Sequence, residues 1–139
     1  MARGLNFSNV PFGHQHLAGK TAWTKKSEEV NQFLSRIPSE KIFITDFSFH
    51  SISIALLRLN KPKLLKEFVQ DLFVEGSVGL VHLGPEDTDR IIEVYEQFGL
   101  DYDDAYQYVS AEKLNLELVS FDTDFNKTPK GRKSPGEVI

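Results

Sequence analysis

Apolar residues recur along most of this chain at two spacings, one helical and one extended. From Ser27 the spacing is helical: Val30, Phe33, Leu34 and Ile37 fall at i, i+3, i+4 and i+7. Ser27 suits the N-cap, Glu28 and Glu29 suit the first turn, and Pro38 stops the helix. Lys41 to Thr45, built around Ile42-Phe43-Ile44, reads as a short buried strand. A helix is predicted from Ser48 to about Leu59, against the preference of β-branched Ile52 and Ile54. Pro62 opens another, with Leu65, Phe68, Val69, Leu72 and Phe73 on one face and Gly76 as its end. Val78 to Leu83 reads as a strand. Pro85 then starts a helix whose apolar face is Ile91, Ile92, Val94, Tyr95 and Phe98, closed by Gly99. Asp104 to Leu114 is the next predicted helix and Leu116 to Phe121 the last strand. In residues 1–24 the single strand-like piece is Leu5 to Val10, with weak patterning. Strands alternating with long helices predict an α/β fold: a three-layer α/β/α domain with a mainly parallel sheet of roughly four strands.

Composition narrows the class without changing that picture. The 139 residues suffice for one domain with a core, and no repeat or internal boundary divides residues 1–139. No apolar run approaches the roughly 20 residues that span a bilayer, and the first residues do not read as a secretory signal. The chain has no cysteine, which excludes disulfides, thiolate zinc sites and cysteine nucleophiles and fits a cytoplasmic address. The net charge of −4 is unevenly spread. Eight acids between Glu86 and Asp104 face one base, Arg90, whereas Lys127, Lys130, Arg132 and Lys133 make residues 127–139 a basic C-terminal extension. An acidic region beside a basic one suits a metal-dependent enzyme acting on a polyanion, and equally an ordinary solvated surface. Pro129 and Gly131 among those bases predict an exposed tail that adds charge and little stability.

In a parallel sheet, functional groups gather at the carboxyl ends of strands and at the helix starts beside them. The polar residues at those places are Asp46 after the Ile42–Ile44 strand, Asp122 and Asp124 after the last strand, and Asp103 and Asp104 at the start of the last long helix. Carboxylates converging from separate elements repel one another and are stable together mainly around a cation. Mg²⁺ and Mn²⁺ favour such oxygen coordination and can activate water for phosphodiester cleavage. Each acid also has a plainer reading: Asp103 or Asp104 as a helix cap, Asp122 as a turn residue.

The segment from Leu100 through Asp104-Ala105 and Ala111, followed by a strand and then Ser120-Phe121-Asp122-Thr123-Asp124-Phe125, resembles the PIN-domain family. Its pattern is an Asp-Ala pair opening a helix, an Ala seven residues after the Asp, a strand, and a Ser/Thr-x-Asp-x-Asp-Phe turn. Asp104 and Asp122, eighteen residues apart, suit that pattern. The match is specific over residues 99–126 and looser from 42 to 98. The resemblance is strongest to the small single-domain ribonucleases that serve as toxins of toxin–antitoxin pairs. It implies Mg²⁺ or Mn²⁺ held by Asp104 and Asp122, with Asp124 and Asp46 as further acids, RNA as substrate, and an antitoxin and a homodimer as assemblies.

Two positions depart from the family pattern. His50, within Phe43 to Ile52, stands where the family carries a glutamate, and is a substitute ligand, a base or a core histidine. At the end of the first strand the family carries an aspartate, and aligning Asn9-Val10 with the family's turn puts Phe7 there, with residues 1–24 diverged. Asp46 is the alternative strand-end acid. Two functions therefore compete: a metal-dependent ribonuclease, and a catalytically inactive domain of the same family that binds protein or RNA. A response-regulator-like phosphate acceptor ranks last, because neither its acidic pair after strand one nor its late lysine is readable.

Overall fold

A computed structural model describes residues 2–6 and 20–138. Among these, four strands form one sheet in the order β3-β2-β1-β4, every pairing parallel: β1 (Arg3–Leu5), β2 (Ile42–Thr45), β3 (Gly79–Val81) and β4 (Glu117–Val119). The alternation of strands and helices thus gives the expected parallel sheet. The strands β2 and β4 are not neighbours, because β1 lies between them. The chain steps outward from β1 to β2 and β3, then returns to the other side of β1 for β4. The order reverses between β1 and β4, the place where parallel sheets open a crevice at their carboxyl edge.

Helices α1 (Lys20–Arg36), α2 (Asp46–Arg58) and α3 (Pro62–Val69) cover one face; α4 (Thr88–Phe98) and α5 (Tyr102–Lys113) cover the other. The strands alternate accordingly. Ile42 and Ile44 of β2 are buried with Val30, Phe33, Ile52 and Leu56, whereas Phe43 turns to the core of Ile91, Val94, Tyr108 and Leu118. Two apolar cores on the two sides of one sheet make the three layers. At Gly79, paired with Phe43, a Cβ would lie 2.6 Å from the Phe43 ring, so the strands pair closely only because this position lacks one. Gly99 adopts φ 65° and ends α4, a left-handed conformation that glycine takes without strain.

Element boundaries depart from expectation in several places. α1 begins at Lys20, so Ser27 lies inside it and is no cap; residues 20–26 contain no proline or glycine to stop the helix from extending back. α2 begins at Asp46, because Thr45 Oγ1 accepts a hydrogen bond from Ser48 N and caps it. The first strand ends at Leu5, where the sequence pattern starts one; the expected residues 7–10 lie outside the described residues.

The C-terminal segment is packed, contrary to the expectation of an exposed tail. Lys133 N donates to Leu118 O and Ser120 N donates to Lys133 O, both at 2.9 Å, so Lys133 pairs in parallel with β4. Phe125, Thr128 and Pro135 are buried, and Gly136 lies against Glu29 of α1. Its charges are engaged as well: Lys133 Nζ is 3.4 Å from Glu117, Arg132 donates to Ser120 O, and Lys127 donates to Gly99 O. Backbone pairing requires no particular side chains, so a polar, Pro/Gly-containing stretch can close a sheet edge. Phe125, fully buried, should cost about 3–5 kcal/mol when cut to alanine. A urea midpoint unchanged in Phe125→Ala would mean that this segment carries no stability.

Candidate metal centre

The helix α5 brings its first turn over the carboxyl edge of the sheet. Asp101 occupies the N-cap position without a side-chain capping bond, and Asp103 and Asp104 follow in the first turn. Asp104 is therefore not the cap; it is 4% exposed and points inward. A buried carboxylate there gains from the partial positive charge of the helix N-terminus. That gain is outweighed. Burial first, then the charges of Asp122 and Asp103, a hydrogen bond shared with Asp122 and the charge of Asp124 push the Asp104 carboxyl up to about 7.

Asp122 and Asp124 reach the same place from the end of β4. Ser120, fully buried, accepts a hydrogen bond from Asp122 N at 2.9 Å. Asp122 then accepts one from Asp124 N at 2.9 Å, which shapes the turn into Thr123–Lys127. One oxygen each from Asp104, Asp122 and Asp124 lies within 4.8 Å of the others. Asp122 thus serves both as turn residue and as a member of the carboxylate group. Asp101 and Asp103, both exposed, form a second such group with Asp104. Three carboxylate oxygens at this spacing, one of them with a raised affinity for protons, are short of positive charge. That donor set fits a hard divalent cation bound partly by water.

The other predicted residues are elsewhere. Asp46 stands at the end of β2, and its Oδ1 accepts from Phe47 N at 2.8 Å and from the Tyr106 hydroxyl at 2.7 Å. The same hydroxyl accepts from Leu83 N at 2.8 Å, so Tyr106 ties the ends of β2 and β3 to α5. Burial, and after it the bond to Asp46, raises the Tyr106 phenol to about 12 against the opposing bond from Leu83, which keeps it a donor. His50 is exposed on α2 with its ring 5.8 Å from that of Phe49. Neither Asp46 nor His50 belongs to a carboxylate group among the described residues.

Asn6 is the residue that sequence reasoning missed. It follows β1 directly, is 2% exposed, donates from its backbone to Val119 O at 2.8 Å and accepts from Ser120 Oγ at 3.3 Å. An amide therefore occupies the end of the central strand, beside the hydroxyl that holds Asp122. Phe7, to which the sequence pattern points, lies outside the described residues. Knowing that the first strand ended at Leu5 would have exposed Asn6.

The fold is thus an α/β domain with a parallel four-stranded sheet and a group of carboxylates at its switch point. Residues 18–131 match the PIN domain. The chain belongs to the PIN domain family. It is 30% identical to the VapC ribonuclease of Archaeoglobus fulgidus over 97 residues, 66% of this chain, and spans about 60% of that relative's length. Two solved structures share the fold: a chain of a toxin–antitoxin complex from Klebsiella pneumoniae (TM-score 0.69, 14% identity, covering 96% of this chain and 98% of that one) and a protein of Pyrobaculum aerophilum (TM-score 0.65, 16% identity, covering 99% and 91%).

The raised carboxyl has a measurable consequence. Burial and the neighbouring carboxylates push the Asp104 carboxyl from its ordinary 3.8 up to about 7 in the folded state, so between those values the folded state binds more protons and stability falls as pH rises. Asp104→Asn should flatten the loss and raise the metal-free melting temperature at pH 8, by a few degrees for roughly 1 kcal/mol in a domain of this size. Mn²⁺ should stabilise the wild type and not the variant. Melts of wild type that are flat from pH 4 to pH 8 and indifferent to Mn²⁺ would mean the aspartates only shape the fold.

Proposed function

We propose that this PIN domain is a divalent-metal-dependent ribonuclease and the toxin of a toxin–antitoxin pair. The observation that carries the reading is the convergence of Asp104, Asp122 and Asp124 at the switch point, with Asp104 forced toward neutrality when no cation is there. Asp104 and Asp122 would hold Mg²⁺ or Mn²⁺, and Asp124 would add a carboxylate at the rim. The bound cation would supply a nucleophilic hydroxide at neutral pH and polarise the phosphoryl oxygen. The chain's own residues do the positioning. Ser120 and the Asp122–Asp124 turn hold one carboxylate pair on the sheet, and α5 holds Asp104 against it.

The VapC relative's name supports RNA as substrate, and the Klebsiella fold neighbour's presence in a toxin–antitoxin complex supports an antitoxin as partner. Exposed Ile54, Leu57, Leu64 and Val74 give α2 and the segment after it apolar area for an antitoxin or a second copy of the chain. No helix among the described residues is long and apolar enough to cross a membrane; we place the protein in the cytoplasm as part of this reading.

One observation favours the inactive binding module. Asn6 puts a neutral amide where a carboxylate would complete the charge of the site. Cleavage of a labelled single-stranded RNA in Mn²⁺ separates the readings. A nuclease should lose activity by on the order of 100-fold or more in Asp104→Asn and Asp122→Asn. Asn6→Asp adds a ligand charge and should tighten Mn²⁺ binding by on the order of tenfold. RNA bound but not cut by the wild type, with cutting gained in Asn6→Asp, would establish the binding module.

A further inference from the structure

We infer that Tyr102, backed by Phe47 and Tyr106, is a stacking shelf for one RNA base at the end of α5 that also carries Asp104. This rests on the ribonuclease reading and names how the same site would grip its substrate. Tyr102 is 55% exposed at the first turn of α5, and its ring lies 6.2 Å from Phe47 and 6.3 Å from Tyr106. Phe47 and Tyr106 are 5.5 Å apart, which closes the trio. Exposure falls from Tyr102 through half-buried Phe47 to buried Tyr106, so an outer ring at the surface is braced by two inner ones. Tyr106 is itself fixed by its bonds to Asp46 and Leu83 N.

Tyr102 contributes little to the core with more than half its surface in water. A tyrosine braced in this way has little rotational freedom left to lose when a flat ring settles on it. Tyr102 and Tyr106 lie one turn apart on one face of α5, and Asp104, two residues from each, projects from the opposite side of the helix toward Asp122. The shelf and the carboxylates therefore share one end of one helix, a body about 10–12 Å across with its side chains. A nucleotide whose phosphate approached the carboxylates could set its base, or its neighbour's, on the Tyr102 ring. Asp101 and Asp103, exposed on either side of Tyr102 in sequence, repel phosphate, so a base stacks on the ring only with its backbone held clear of these two acids. Stacking on an aromatic face tolerates every base, so the shelf adds grip and register more than sequence choice.

The test compares wild type, Tyr102→Leu and Tyr102→Trp on a short single-stranded RNA in Mn²⁺, together with copies of that RNA made abasic at one position at a time. Tyr102→Leu should raise KM by roughly ten- to a hundredfold, the worth of one stacked base, with kcat changed far less. Tyr102→Trp should retain wild-type KM. One abasic position should weaken wild type by the same factor and Tyr102→Leu no further. Equal KM for wild type and Tyr102→Leu on every RNA would overturn the shelf while leaving the ribonuclease reading in place. The same is true if Tyr102→Leu alters only the mass of the protein in solution, which would assign the ring to a protein interface. A wild type that neither binds nor cuts RNA in Mn²⁺ would overturn both.

Discussion

Three carboxylates held within 4.8 Å of one another at the carboxyl edge of a parallel sheet are a source of strain that the rest of the fold must contain. Asp104 comes from a helix and Asp122 and Asp124 from the turn after a strand, so the two halves of the group can separate if α5 moves off the sheet. The packing opposes that. Ala105, Tyr108, Val109 and Ala111 bury the inner face of α5, and small residues at 105 and 111 let the helix approach closely. Thr45 Oγ1 donates to Gln107 Oε1 at 2.9 Å in the interior, and Tyr106 bonds Asp46 and Leu83 N. Buried polar bonds of this kind are costly to break on one side, so they hold α5 in one place along the sheet.

The same constraint explains the division of labour among the acids. Asp46 has its Oδ1 occupied by two donors, which suits a brace between β2 and α5. Asp104 has no comparable donor among the described residues, and its burial and then the negative charges around it raise its proton affinity. A cation would remove the conflict; a proton removes it less completely. Ser120 and Asn6 bring neutral polar groups to the floor of the crevice, so the site lowers its own repulsion at the position where a further carboxylate would raise it.

Much of this was legible in the sequence, and the exceptions have physical causes. The periodic segments around Phe33, Leu65, Ile91 and Val109 become the helices that cover the sheet, and Ile42–Ile44 becomes an interior strand, because burial of one face writes itself as spacing. Asp104, Asp122 and Asp124 were legible because strand ends and helix starts are fixed by those elements. β1 was not. Three residues, Arg3-Gly4-Leu5, have no periodicity to read, and their strand character comes from pairing with β2 and β4 on both sides. Placing that strand too late hid Asn6. The C-terminal pairing at Lys133 is a backbone contact without a side-chain signature. The rings of Phe47, Tyr102 and Tyr106 come from two helices distant in sequence and meet only in the fold.

The central claim is that these aspartates converge to hold a cation. The most direct measurement is anomalous scattering from a crystal of the protein soaked in Mn²⁺. The account predicts a single strong peak within coordination distance of Asp104 and Asp122, with Asp124 alongside. Absence of any peak there at high Mn²⁺, with Asp104 still sharing a hydrogen bond with Asp122, would contradict it.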